Sequence, residues 1–147
     1  MNELARPRPL VLLSSVSSDS HTWNLVFLQL LLEETGHDVV NLGACVPDEL
    51  LLAECAAQRP DAVVISTVNG HGHVDGRRLI ARLRADERLA GLPVVIGGKL
   101  GVGGGRDSGL ASELAAAGFD AVFAEGSDVR GFVGYIDSVL PALEPSS

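Results

Sequence analysis

Five short apolar runs recur along the chain, near residues 9–15, 38–42, 61–66, 93–97 and 120–123. Runs such as AVVIS and PVVIG are continuous rather than alternating, which is the pattern of strands covered on both faces in a parallel sheet. Between them lie segments of helical character, near 22–35, 47–58, 75–89, 107–117 and 128–141. Gly36 and Gly118 fall where a helix C-terminus favours a left-handed residue. Pro47 with Asp48 and Glu49 suits a first helical turn, and Pro93 opens a strand. Five successive β–α units predict an open, doubly wound α/β domain.

The simplest such arrangement is flavodoxin-like: a five-stranded parallel sheet of order 2-1-3-4-5 with helices on both faces. Residues 1–147 are expected to form one domain with an ordered core at about 9–141, leaving residues 1–8 and the terminal EPSS loose. Hydrophobic residues make up 46% of the chain, enough for one core. The formal net charge is −8 and the eleven basic residues are scattered, which argues against nucleic acid or an anionic membrane as partner. Cys45 and Cys55 make neither a disulfide framework nor a C-x-x-C site. The N-terminus MNELARPRPL carries no apolar leader, and no apolar run approaches the ~20 residues of a membrane span. A cytoplasmic protein is expected.

In a doubly wound sheet, ligands bind beyond the carboxyl ends of the strands where the order reverses, here between the first and third. Three segments follow neighbouring strands: SDSHTWN, STVNGHGH and GGKLGVGGG. In the first, Asp19 and His21 can act as a pair, the carboxylate holding one ring N–H while the other nitrogen faces a metal. Equally, Asp19 can cap the helix beginning near Thr22 and leave His21 a solvated loop residue. In the second, the hydroxyls of Ser66 and Thr67 can hydrogen-bond something lying across the sheet edge. His71, His73 and Asp75 are a possible metal set in a glycine-flanked loop, though a surface or partner-contacting loop explains them better. Gly97 and Gly98, with Gly101, Gly103, Gly104 and Gly105 beyond, allow a ligand close to the backbone or serve a turn with positive φ. The first helix, LVFLQLLLEE, is apolar nearly all round, which points to deep cover or contact with another subunit.

Together these segments resemble the cobalamin-binding domain family, whose signature is D-x-H-x-x-G after the first strand, S-x-L after the third and G-G after the fourth. They read DSHTWN, STV and GG here. From about residue 9 to 140 the chain resembles the small, cofactor-holding (sigma) subunits of glutamate mutase (methylaspartate mutase), including VVNLG followed by PDEL, and NGHGHVDGRRL. The resemblance implies an isomerase subunit that binds adenosylcobalamin as a source of radicals for interconverting L-glutamate and L-threo-3-methylaspartate. It implies His21 as lower ligand to cobalt in place of the cofactor's own base, with Asp19 on its other nitrogen. The implied cofactor-binding residues are Ser18, Asp19, Ser20, His21, Thr22, Asn24, Ser66, Thr67, Val68, Gly97, Gly98 and Lys99. It implies as well a large, barrel-shaped catalytic partner that carries the substrate, so that this chain is inactive alone and works in a hetero-oligomer. Two residues depart from the signature: Asn24 stands at the glycine position and Val68 at the leucine position.

Other readings stay open. Corrinoid carriers of methyl transfer share the three motifs but usually have a helical bundle ahead of them, and about eight residues precede the first strand here. A cobalamin sensor or chaperone without mutase activity is compatible with Asn24. A flavodoxin would use SSVSSDSHT as a phosphate cradle but wants stacking aromatics, of which Trp23 and Tyr135 are the polar-edged candidates. A phospho-receiver needs an aspartate ending the third strand, where Ser66 stands. GVGGGR lacks G-x-G-x-x-G spacing and follows the fourth strand.

Overall fold

The computed structural model describes residues 8–99, 107–124 and 129–140. The elements run β1 (Leu10–Ser14), α1 (Trp23–Glu34), β2 (Asp38–Asn41), α2 (Asp48–Gln58), β3 (Ala62–Thr67), α3 (Gly72–Ala85), β4 (Val94–Gly98), α4 (Asp107–Ala117), β5 (Ala121–Ala124) and α5 (Val129–Val139). All strand pairs are parallel and the order is β2-β1-β3-β4-β5, as the alternation of runs predicts. The loops Gly101 to Gly105 lie outside the described residues. Among the described residues no helix is long and apolar enough to cross a membrane.

Successive strand side chains point to opposite faces, so an unbroken apolar strand supplies two cores at once. Leu12, Val63, Ile65, Val94 and Ile96 pack with Leu51, Leu79, Ile80, Leu83 and Leu114 under α2, α3 and α4. Their neighbours Val11, Leu13, Ala62, Val64 and Val95 pack with Leu25, Leu32, Phe132 and Ile136 under α1 and α5. Carboxylates tie the amino ends of the strands together. Asp61 accepts the N–H of Leu10 at 2.7 Å, and Asp120 accepts that of Val94 at 2.7 Å. Gly36 and Gly118 take the left-handed conformation expected after helices, with φ of 101° and 135°.

The third helix differs from the sequence expectation at both ends. It starts at Gly72, because the Asn69 side chain folds back to accept the N–H of His71 at 2.9 Å and shapes the entry to the helix. It stops at Ala85, because Asp86 is extended and its carboxylate accepts the N–H of Arg88 at 3.0 Å, starting a separate 3-10 turn at Glu87–Leu89.

Ile65 is fully buried at the centre of β3, the strand shared by β1 and β4. Ile65→Ala is expected to lower the free energy of unfolding by about 2–5 kcal/mol, the cost of lost burial plus a cavity. Urea unfolding checks this, and a loss under 1 kcal/mol would place the residue outside a tightly packed core.

Candidate functional site

The loop leaving β1 turns its one carboxylate inward. Asp19 is 0% exposed, a costly place for a charge unless its oxygens are fully engaged. One oxygen, Oδ1, accepts the backbone N–H of His21 at 3.0 Å and lies 2.7 Å from His21 Nδ1. The other, Oδ2, accepts the hydroxyl of Thr67 at 2.8 Å and the backbone N–H of Val68 at 2.7 Å. Burial, the largest single influence, would raise the pKa of this acid. The N–H groups of His21 and Val68, then the His21 ring and the Thr67 hydroxyl, together outweigh it and bring the pKa down to about 2.

This bonding decides between the two sequence readings of Asp19. It does not cap α1: Thr22 occupies the N-cap position and makes no side-chain cap bond. Instead Asp19 orients the ring of His21. An ionised carboxylate only accepts, so Nδ1 carries a proton and the tautomer of the neutral ring is the one that leaves the lone pair on Nε2. The His21 side chain is 50% exposed, so the ring stands at the surface, beyond the carboxyl ends of β1 and β3.

A second layer holds the loop. Ser18 donates to Asp75 and accepts from Asn69 at 3.0 Å, while Arg78 reaches Ser17 at 3.1 Å. Arg78 in turn pairs with Asp75 at 2.9 Å and Asp48 at 2.7 Å, which holds its guanidinium still more firmly in the charged form. On the other side, the N–H of Cys45 donates to the carbonyl of Asp19 at 2.8 Å. Sequence reasoning missed Asn69 and Arg78, and placed Asp75 in a possible metal set. The structure sends that set in different directions, His73 to Glu113 at 2.6 Å and Asp75 to Ser18 and Arg78. Among the described residues no group of three or more His, Cys, Asp or Glu is placed to hold a metal ion.

The remaining candidates divide by face. Thr67 is spent on Asp19, whereas Ser66 faces α1 and accepts from Asn24 Nδ2 at 2.8 Å. Gly97, paired with Ser66 in the sheet, has no side chain over that spot. A Cβ on it would come 3.0 Å from the Phe123 carbonyl, so β5 also limits it. Gly98 is glycine for the protein's own sake: its φ is 111°, and a Cβ would fall 2.0 Å from the Thr67 carbonyl. That carbonyl accepts the N–H of Lys99 at 2.9 Å. Ser20, His21 and Thr22 are exposed, and Val68 and Lys99 are half-buried.

Comparison with known proteins adds what geometry alone does not. The B12 binding domain family matches residues 9–131. The glutamate mutase sigma subunit of Halobacterium salinarum is 33% identical over 138 residues, covering 92% of this chain and 88% of the relative. Among solved structures, a cobalamin-binding protein from Desulfitobacterium hafniense superposes with a TM-score of 0.73 at 21% identity, covering 90% of this chain and 60% of the other. A putative response regulator from Chloroflexus aurantiacus reaches 0.67 at 18% identity, covering 90% of this chain and 97% of the other. At these identities the two structures attest the fold alone.

In the unfolded chain Asp19 takes up a proton near the ordinary value of 3.8, and in the folded chain only near about 2. Its folded pKa is the lower one, so its stabilisation is complete above about pH 4 and is lost as pH falls toward 2. Asp19→Asn is expected to remove an acid-sensitive component on the order of 2 kcal/mol from urea unfolding across that window. Equal pH slopes for the two proteins would contradict a buried, ionised Asp19.

Proposed function

The chain belongs to the B12 binding domain family, and from that premise we propose that it is the cofactor-holding subunit of an adenosylcobalamin-dependent glutamate mutase. The observation that carries the reading is the Asp19–His21 pair, 2.7 Å apart beyond the carboxyl end of β1. A metal already ringed by a macrocycle needs few donors from protein, and a single imidazole oriented by a buried carboxylate is a donor of that kind. The residues therefore fit the group. His21 would ligate cobalt in place of the cofactor's own base, and Asp19 would raise the basicity of the ring and fix its tautomer.

Room for the displaced nucleotide tail is sought on the α1 side of the sheet. There the apolar residues Val64 and Val95 give way, two positions on, to Ser66 and Gly97. Small residues at that end leave space where side chains would otherwise close-pack. When bound, adenosylcobalamin supplies a carbon-centred radical by homolysis of its cobalt–carbon bond. The chain's own task is to bind, orient and shield that group, while glutamate and methylaspartate sit in a barrel-type catalytic subunit. This chain alone turns nothing over.

The partner's landing surface is the outer side of α1. Trp23 is 71% exposed, Val26 50%, Phe27 46% and Leu30 58%. Their spacing of three, four and seven residues places them on one helical face, opposite the buried Leu25 and Leu32. That face starts two residues after His21, so a subunit covering the cofactor also meets it. Contiguous exposed apolar surface of this kind is typical of an interaction site.

Two outcomes are expected. Mixing the purified chain with cobalamin should shift the visible corrin bands as the tail base leaves cobalt, and His21→Ala should abolish or alter that shift. An unchanged spectrum with no binding would sink the reading. The double change Trp23→Ser with Phe27→Ser should leave the spectral shift in place and weaken assembly with a glutamate mutase catalytic subunit at least about tenfold in sedimentation. Undiminished assembly would put the partner elsewhere.

A further inference from the structure

The second residue of α1 carries a polar atom with nowhere to go. Asn24 is 8% exposed, and its Nδ2 donates to Ser66 Oγ at 2.8 Å. Its Oδ1 is buried and has no hydrogen-bond partner. Ser66 can serve only one end of the amide at a time. Leaving a buried acceptor unpaired costs about 1–3 kcal/mol, and native proteins seldom tolerate it without a use. The orphan lies on the α1 side of the sheet beside Ser66, which pairs in the sheet with side-chain-free Gly97. Asn24 itself stands where the cobalamin-binding signature has a glycine.

We propose that Asn24 is a specificity-determining residue for the corrinoid tail, its Oδ1 accepting a hydrogen bond from an O–H or N–H donor there. The inference rests on the cofactor reading above and adds a recognition role to it. A glycine at this position only makes room. An asparagine makes room conditional, because the amide occupies part of the space and favours a tail that satisfies it over one that does not. The same geometry explains why the pair spans two elements. Ser66 on β3 fixes the amide plane, so Oδ1 is held in one direction instead of rotating to solvent.

Two sources can supply the donor. A ribose hydroxyl is common to both nucleotide tails, and an exocyclic amine is present on adenine and absent from dimethylbenzimidazole. The experiment titrates three corrinoids into wild type and Asn24→Leu, following visible absorbance: cobalamin with its dimethylbenzimidazole tail, the adenine-tailed analogue, and tail-free cobinamide. Leucine keeps the branched heavy-atom outline and removes the acceptor. The variant is expected to bind tailed corrinoids about tenfold more weakly, the size of one net hydrogen bond, with cobinamide affinity unchanged. Equal losses for both tails assign the donor to ribose, and a loss confined to the adenine tail assigns it to the base edge. If Asn24→Leu does not fold, Asn24→Ala is expected to show the same selective loss. Unchanged affinity for both tailed corrinoids, or an equal loss for cobinamide, would overturn the inference. Wild type binding cobinamide but gaining nothing from a tail would overturn it too, while leaving cofactor binding intact. Failure of wild type to bind any of the three would remove the cofactor reading itself, and this inference with it.

Discussion

A buried carboxylate with four donors is the constraint around which the carboxyl end of the sheet is arranged. Asp19 could not remain ionised at 0% exposure without them, and they come from two places far apart in sequence. Two belong to His21 in its own loop, and two to Thr67 and Val68 at the end of β3. Folding the sheet is therefore what makes the charge tolerable, and the charge in turn staples the β1 loop to β3. The ring of His21 inherits its direction from that staple. Removing a donor would both leave an oxygen of the acid short of a partner and loosen the imidazole.

Around the staple lies a second polar layer with a different character. Ser17 and Ser18 are held through Asp75 and Arg78 on α3, and Arg78 continues to Asp48 on α2. These bonds are partly exposed, so each contributes little to global stability. Their value is positional, because they reach the loop from the face opposite α1 and deny it alternative conformations. The fold itself does not specify this chemistry. A putative response regulator shares the scaffold, while here β3 ends in Ser66 and Thr67 and His21 stands at the rim.

The architecture was legible in the sequence because parallel, doubly covered strands write themselves as unbroken apolar runs. AVVIS and PVVIG became β3 and β4, and the helix assigned to 107–117 is α4 at those bounds. The start of α3 was not legible, since glycines at Gly70 and Gly72 look like loop until the Asn69 side chain is seen turning onto His71. The two roles open to Asp19 could not be separated by spacing, because a capping aspartate and a ring-orienting one occupy the same position. Only burial and partner identity distinguish them. The pairing of Asn24 with Ser66 spans 42 residues and involves residue types common on surfaces, so nothing in the chain announced it. Gly98 was open in sequence to two readings, ligand approach or a turn with positive φ, and its φ of 111° beside the Thr67 carbonyl shows the second demand.

Beside that staple the start of α1 is fastened differently from the amino edge of the sheet. At the amino edge, Asp61 and Asp120 close the strands with carboxylate bonds, and Arg84 adds bonds to the carbonyls of Ala90, Leu92 and Gly118. At the carboxyl edge, α1 begins without a side-chain cap and without an acidic residue in its first turn, although both would stabilise its exposed N–H groups. Its first turn is held by Leu25 in the core and by one amide-to-hydroxyl bond that leaves Oδ1 of Asn24 unpaired. Local opening of such a turn costs less than global unfolding. The Asp19 staple next to it is fastened by four bonds to two separate segments, so the loop carrying His21 and the first turn of α1 are held to unequal degrees.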